Sequence, residues 1–269
     1  MHTHVGMSTR YLSDEYMALI RACANEAEKE KMLAWLYDED KWPSGFAGGY
    51  VTQKKENRLK FLLLTTTPYE KSVQGEMLKS WSGRVCRANN GTLLCRYDVG
   101  LDEDGYLSTY RRLDEGQEAE HTEWFCYLET QPESPWFNYQ TYVDTLSKSA
   151  IDDFIHTTHD RYKECIGEKF GKSVPAIFTD EPQVTRKLLL HRAKDTDRDL
   201  FLPFTVDLEE SYQAAYGESL LDKLPEVIWN LRDGLSKTRY RYHDHVTERF
   251  VRAFGDNIGA WCDKNGIAL

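Results

Sequence analysis

A helical pattern that runs into a short apolar segment occurs three times along the chain and limits the fold more than any other feature. The three helix-and-segment pairs occupy 14–37, 148–178 and 237–269. Within the first pair, Ile20 and Ala24 are four residues apart, which is the spacing of one helix face. A helix followed by a buried strand, repeated, is the pattern of parallel α/β sheets and barrels. Functional side chains collect at the carboxyl ends of such strands, so the site is expected there.

The stretch 53–135 has a different pattern, which is typical of antiparallel strands. It contains two hairpin signals, Asn-Gly at 90–91 and Asp-Gly at 104–105, each between strand-like runs. We therefore predict an α/β fold in which 1–52 and 136–269 form a partial (β/α)8 TIM-like barrel. The stretch between them is predicted to be an inserted antiparallel β-rich subdomain.

The number of predicted barrel strands is too low for a closed barrel. A closed (β/α)8 barrel needs eight strands and roughly 250 residues, whereas this 269-residue chain contains two or three such strands outside the insertion. The chain also begins within what resembles a strand-end loop and stops at Leu269 as a strand begins. We therefore predict a fragment of a longer barrel, cut at both ends.

Charge and hydropathy argue against several classes of partner. The formal net charge is −10, whereas phosphate backbones and anionic membranes are bound by clustered Lys and Arg. No apolar run approaches the roughly 20 residues that span a bilayer. We therefore predict neither a nucleic-acid partner nor a membrane partner, and the sequence indicates no particular oligomeric state.

Cysteine usage and the N-terminus predict the compartment. The six cysteines are scattered with no C-x-x-C spacing, which argues against the usual zinc sites. Cys23, Cys165 and Cys262 fall on apolar faces of the predicted helices, as reduced core thiols do. The N-terminus has neither the basic start nor the apolar core of a signal peptide. These features together predict a cytoplasmic protein.

The segment Phe178-Thr179-Asp180-Glu181-Pro182 follows the second apolar segment and contains the first candidate site. Glycoside hydrolysis needs two carboxyl groups, and the one that protonates the leaving oxygen needs a raised pKa. Glu181 meets this requirement in the sequence because it follows an apolar strand and lies beside Asp180. The alternative interpretation is a loop carboxylate that caps the next helix.

The segment Asp38-Glu39-Asp40 follows the first apolar segment and is the second candidate. Three carboxylates at the end of an apolar strand are costly unless they are paired, bound to a ligand or hydrated. Trp42 lies close by in the sequence and would provide a platform for a sugar ring. The alternative is a hydrated turn with Trp42 in the core.

His2 and His4 have the His-x-His spacing of the metal site at the first strand of amidohydrolase barrels. That motif follows an apolar strand, and no such strand precedes it in this sequence. A metal-dependent hydrolase is therefore a minor alternative, and we assign no metal ligands.

Two sequence blocks resemble the α-L-rhamnosidase-like glycoside hydrolases. The first covers 35–45 (WLYDEDKWPSG) and 47–49 (AGG), and the second covers 178–182 (FTDEP). The likeness continues at 202–204 and 261–266, so it spans essentially the whole chain. The resemblance implies a (β/α)8 catalytic barrel within a much longer polypeptide.

The resemblance also implies a role for Glu181. Glu181 would be the general acid, and its partner carboxylate would lie on a later strand than this chain contains. Apart from the resemblance, we predict that the residues at the two strand ends bind the substrate, namely Asp180, Asp38, Glu39, Trp42 and Tyr37. Some relatives require calcium, for which no ligands are assigned here.

We therefore predict a glycoside hydrolase that cleaves the O-glycosyl bond of an α-L-rhamnoside or a related sugar, with a carbohydrate as its partner and no cofactor. The main alternative is a non-catalytic carbohydrate-binding or structural remnant of such a barrel, which the missing strands favour. Sugar binding without hydrolysis would distinguish this alternative from the enzyme.

Overall fold

The computed structural model describes residues 1, 3, 6–71, 87–185 and 199–269. Its regular elements, in chain order, are α1 Asp14–Lys29, β1 Leu36–Tyr37, β2 Lys60–Thr65, β3 Thr92–Leu101, β4 Leu107–Leu113, β5 Thr122–Thr130, α2 Lys148–Phe154, α3 Asp160–Ile166, β6 Ile177–Phe178, β7 Leu200–Pro203, α4 Leu208–Tyr216, α5 Leu220–Lys223, α6 Pro225–Ile228, α7 Lys237–Phe250 and α8 Asp256–Asn265. One π-helical turn, Ile155–His159, joins α2 to α3, and another, Val251–Gly255, joins α7 to α8.

The chain divides into two compact units. The first consists of Met1–Arg58, Glu133–Val184 and Arg249–Leu269, and the second of Leu59–Pro132 and Thr185–Glu248. The predicted domain boundaries, with 53–135 as an insertion, stay a prediction.

The first unit contains a small parallel sheet. In it, β1 pairs with β6 so that Leu36 faces Ile177 and Tyr37 faces Phe178. A parallel bridge between Ala176 and Ala268 adds the chain end to the other side of β6. Because parallel strands place their carboxyl ends at the same edge, the residues that follow β1 and β6 are brought together.

Helix α1 forms at its predicted place for local reasons. The Ser13 side chain caps it by accepting a hydrogen bond from the Tyr16 backbone N–H, and acidic residues occupy the first turn. Met17, Ile20 and Ala24 are buried along one face. The prediction of a buried thiol at Cys23 is wrong, because Cys23 is exposed, whereas Cys165 and Cys262 are buried.

The second unit contains a five-stranded antiparallel sheet in the order β4-β3-β5-β2-β7. Four successive residues of the interior strand β2, Phe61 to Leu64, are buried, so both faces of this strand are covered. One cluster on this sheet consists of Phe61, Leu63, Tyr127 and Phe201. The hairpin predicted at 104–105 is present, because β3 and β4 pair on either side of it.

The predicted fold class is wrong. In the part of the chain that the structure describes, the largest sheet is antiparallel, and no sheet closes into a TIM-like barrel. Strand β7, which lies in a stretch assigned to the partial barrel, instead pairs antiparallel with β2. The apolar segment 32–37 pairs with β6 only over its last two residues, and Met32 and Leu33 are each 63% exposed. Local periodicity predicts that a segment forms a β-strand, but the strand with which it pairs, far away in the sequence, decides which sheet it joins.

Within the described ranges, the longest helices are too short or too polar to cross a lipid bilayer.

Candidate functional site

The carboxyl ends of β1 and β6 meet and bring several predicted site residues together. The Tyr37 hydroxyl donates a hydrogen bond to Asp180 Oδ2 at 2.5 Å. One residue further on, the Asp38 backbone N–H donates to the Phe178 carbonyl at 3.2 Å. The parallel register of the two strands is what places these residues side by side.

Ser44, which the sequence had not marked as a site residue, links the two strand ends. Its hydroxyl donates to Asp38 Oδ1 at 2.6 Å and accepts the Asp180 backbone N–H at 2.8 Å. Its own backbone N–H donates to the Asp180 carbonyl at 3.0 Å. A small hydroxyl residue inside the Trp-Pro-Ser-Gly turn was the available signal, because serine commonly bridges backbone groups in turns.

Asp38 lies at the bottom of the site and is fully buried. Burial raises the pKa of its carboxyl to about 7, although the hydrogen bond from Ser44 acts in the opposite direction. Its second oxygen, Oδ2, has no hydrogen-bond partner among the described residues and lies 3.5 Å from His159 Nε2. Near pH 7 the carboxyl is therefore divided between its neutral and ionised forms, and it is sealed from solvent.

Glu39 is the second buried carboxyl of the site, with 4% of its surface exposed. Burial raises its pKa to about 7, and the nearby carboxylates of Asp180, Asp38 and Asp40 act in the same direction. Oxygen Oε2 of Glu39 has no partner in the described ranges. A carboxyl that keeps its proton near pH 7 is the type of group that acts as a general acid.

Asp40 stabilises the turn that follows β1 and contains Gly45 and Gly48. Its Oδ1 accepts the Gly48 backbone N–H at 2.8 Å, and burial raises its pKa. Gly45 has φ +120°, and a Cβ added there would come within 2.7 Å of the Val143 side chain. The glycines of this turn are therefore explained by backbone conformation and close packing.

Glu181, the predicted general acid, lies in the turn that follows β6. Its side chain is exposed, and its backbone has φ +38°, in the left-handed region. A residue before proline strongly prefers an extended backbone, so this conformation costs about 1–3 kcal/mol and needs support from its surroundings. The turn places Asp180 against Tyr37 and leaves Glu181 accessible.

An aromatic surface borders the carboxyl groups. The Tyr37 ring stacks on Phe178 with 5.2 Å between centroids and 11° between planes, and Phe178 is 45% exposed. Trp42 is 36% exposed, and its backbone carbonyl accepts the Trp136 indole N–H at 2.7 Å. Phe178 had been assigned only to the strand, because alternation alone does not reveal which face of a short sheet is covered.

The residues present do not supply a metal site. Among those that the structure describes, no group of three or more His, Cys, Asp or Glu side chains is arranged to hold a metal ion. We therefore assign no ligands among the described residues to the calcium that some relatives require, and no step is derived through it. His2 and His4, on which the metal-dependent alternative depended, lie outside the described residues.

Comparison with protein-family models and with curated proteins finds no match. Among solved structures, the rhamnosidase from Novosphingobium sp. PP1Y superposes on 99% of this chain and on 42% of its own, with a TM-score of 0.50 and 10% identical residues. At that identity the likeness supports a rhamnosidase-like fold and nothing finer. The chain spans 42% of the length of that rhamnosidase.

Proposed function

We propose that the chain is a glycoside hydrolase that cleaves the O-glycosyl bond of a terminal deoxy-sugar such as an α-L-rhamnoside, with Glu181 as the general acid. The observation that carries the proposal is the mixture of carboxyl groups at one sheet edge. Asp38 and Glu39 are buried with pKa values of about 7, and Glu181 is exposed beside them. Carboxyl groups whose environments differ in this way are the basis of acid–base roles in glycosidases.

Glu181 is proposed as the acid because a general acid must reach the leaving oxygen. Among the strand-end carboxyls, Asp38 is fully buried and Glu39 is 4% exposed, whereas the Glu181 side chain is exposed. Because Asp38 and Glu39 are only partly ionised at neutral pH, they would repel an ionised second catalytic carboxylate less than two full negative charges would.

The neighbouring groups are suited to holding a sugar. Asp180 is fixed by the Tyr37 hydroxyl, and a carboxylate held in this way accepts hydrogen bonds from sugar hydroxyls. The exposed faces of Phe178 and Trp42 are available for stacking against the C–H surface of a pyranose ring. Tyr37, Asp180, Glu39 and Trp42 are therefore proposed to line the sugar site, with Asp38 behind them.

A non-catalytic carbohydrate-binding role is the second candidate. It is favoured by the partly exposed aromatic side chains of Phe178 and Trp42. The aromatic surface would bind a sugar whether or not a complete pair of catalytic carboxyls is present. Calorimetric binding of L-rhamnose without any hydrolysis would select this candidate.

The test measures release of 4-nitrophenol from 4-nitrophenyl α-L-rhamnopyranoside by the purified chain. Hydrolysis by the wild type and its loss in Glu181→Gln are expected. Glu15→Gln, at an exposed position of α1, is the matched control and is expected to retain wild-type hydrolysis. Hydrolysis by Glu181→Gln at the wild-type rate would overturn the assignment of the acid.

A further inference from the structure

Asp38 and His159 form a buried pair that cannot reach a substrate. Both side chains are fully buried, and Asp38 Oδ2 lies 3.5 Å from His159 Nε2. The His159 ring is packed edge-on against Phe154 and Trp261, each with 5.2 Å between ring centroids. A buried pair of polar side chains is costly unless its groups satisfy each other, so its presence beneath the turn calls for a function.

The π-helical turn Ile155–His159 is what brings the histidine to this place. It inserts an additional residue between α2 and α3, and such bulges are frequent at functional sites. Neither ring nitrogen of His159 has a hydrogen-bond partner in the described part of the chain, and the ring lies near two carboxyl groups, with Asp38 Oδ2 at 3.5 Å from Nε2 and Asp160 next in the sequence. Burial lowers the pKa of His159 to about 3, so the ring is neutral.

The other oxygen of Asp38, Oδ1, is connected through Ser44 to the exposed turn that contains Asp180 and Glu181. The Ser44 hydroxyl has a single proton, which it donates to Asp38 Oδ1 at 2.6 Å. The orientation of the hydroxyl is thereby set, and its lone pairs face the Asp180 backbone N–H at 2.8 Å. A second bond, from the Ser44 N–H to the Asp180 carbonyl at 3.0 Å, holds the next peptide group, which joins Asp180 to Glu181.

We propose that His159, Asp38 and Ser44 are positioning residues that hold the backbone N–H and C=O of Asp180 and thereby keep Glu181 in its left-handed conformation. The strained backbone of Glu181, with φ +38° before Pro182, persists because the preceding residue is held by two hydrogen bonds. The consequence for hydrolysis rests on the proposed function, whereas the geometric effect on the turn does not.

The test in the wild-type chain is amide hydrogen exchange followed by NMR. The Asp180 amide is expected to exchange at least about tenfold more slowly than the Glu181 amide, because only the former has an acceptor in the described structure. Equal exchange rates would overturn the proposal, and this measurement needs no variant that folds.

Substitutions at Ser44 and Asp38 test which side chains protect the Asp180 amide from exchange. Ser44→Ala is expected to speed exchange of the Asp180 amide about tenfold, whereas Ser149→Ala, at an exposed position of α2, is expected to leave it unchanged. Asp38→Asn keeps an oxygen that accepts from Ser44 and is expected to remain within about threefold of the wild-type rate. A folded Ser44→Ala variant with wild-type protection of Asp180 would refute the positioning role.

The contribution of the buried His159 to Asp180 protection is tested by comparison with the exposed His156. His159→Gln is expected to speed Asp180 exchange about threefold, and His156→Gln, on the solvent side of the same helix, is expected to have no effect. In an active preparation, Ser44→Ala is expected to lower kcat with little change in KM, because orientation of the acid matters in the transition state. If the wild type shows no hydrolysis, the proposed function fails while the exchange measurements still decide the positioning role.

Discussion

Two buried carboxyls, one in each unit of the chain, differ in how completely they are hydrogen-bonded. Glu129, in the second unit, accepts the Tyr69 hydroxyl at 2.7 Å and the Asn89 backbone N–H at 2.9 Å on one oxygen, and the Ala88 backbone N–H at 2.8 Å on the other. Asp38, in the first unit, has one oxygen bonded to Ser44 and one facing His159 without a hydrogen bond.

The difference separates a structural carboxyl from a candidate functional one. Burial raises the pKa of both groups, so a raised pKa alone does not distinguish them. Glu129 has bonds to both oxygens and holds the backbone at 88–89 in place. Asp38 and its neighbour Glu39 each keep an oxygen without a partner among the described residues. A buried carboxyl with an incomplete set of hydrogen bonds, next to an exposed turn, is therefore a stronger sign of function than a raised pKa alone.

The largest expected effect is on hydrolysis at the exposed turn. Glu181→Gln is expected to lower the rate of rhamnoside hydrolysis at least about 100-fold, because a positioned general acid contributes about 100-fold to 10,000-fold. Its free energy of unfolding should change little, since the side chain is exposed. Steady-state kinetics and chemical denaturation measure the two quantities. If Glu129→Gln impaired kcat as strongly, the division into functional and structural carboxyls would be wrong.

The next effect is on the pH dependence of stability. The pKa of Asp38 is about 7 in the folded chain and about 3.9 when unfolded, so its contribution to stability is complete below about pH 4 and is lost as pH rises through 7. The size is about 1.4 kcal/mol for each unit of pKa. Asp38→Asn does not titrate, so its free energy of unfolding should fall less steeply over this range. Denaturation at a series of pH values tests this.

The control for the pH experiment is Asp233→Asn, at an exposed position of the second unit. This variant should follow the wild-type curve. The contribution of Glu39 to the free energy of unfolding also falls as pH rises, because its pKa is likewise raised to about 7. Part of the decline should therefore remain in Asp38→Asn. An unchanged slope in Asp38→Asn would mean that Asp38 is ionised in the folded chain.

A smaller effect is expected at the satisfied carboxyl. Glu129→Gln replaces one acceptor oxygen with an NH₂ group that faces N–H or O–H donors, so the free energy of unfolding should fall by about 1–3 kcal/mol. Glu115→Gln, at an exposed position of the same unit, should be neutral. Urea denaturation measures both variants. A stability of Glu129→Gln equal to the wild type would remove the structural role of this carboxyl.

The smallest effect concerns the aromatic surface. Trp42→Ala is expected to weaken L-rhamnose binding about threefold to tenfold, because an aromatic contact contributes about 0.5–1.5 kcal/mol. The backbone carbonyl of residue 42, which accepts the Trp136 indole N–H, is retained in this variant. Tyr240→Ala, 71% exposed in the second unit, should bind as the wild type does. Isothermal calorimetry would contradict the proposed site if both variants bound equally well.

The helices were predictable because their signals are local. The helix predicted at the start of 14–37 is observed at Asp14–Lys29, with Ser13 as its cap. The helical patterns at the start of 148–178 and of 237–269 correspond to helices that are each interrupted by a π-helical turn. The turns themselves were not predicted, because one inserted residue hardly disturbs an apolar periodicity.

The sheets were not predictable in the same way. The apolar segments were recognised, but β7 joins the antiparallel sheet by pairing with β2, which is more than 100 residues away in the sequence. Pairing of this kind depends on non-local contacts that no window of sequence contains. This is why the barrel prediction failed while the helix predictions were confirmed.

The sequence by itself determined which residue types follow the two strands, namely the carboxyls from Asp38 to Asp40 and the pair Asp180 and Glu181. The tertiary structure alone decided how these groups differ. The parallel register of β1 and β6 joins Tyr37 to Asp180, and burial under His159 leaves Asp38 with a raised pKa. The reason is that desolvation and hydrogen bonding depend on neighbours in space, which local patterns do not specify.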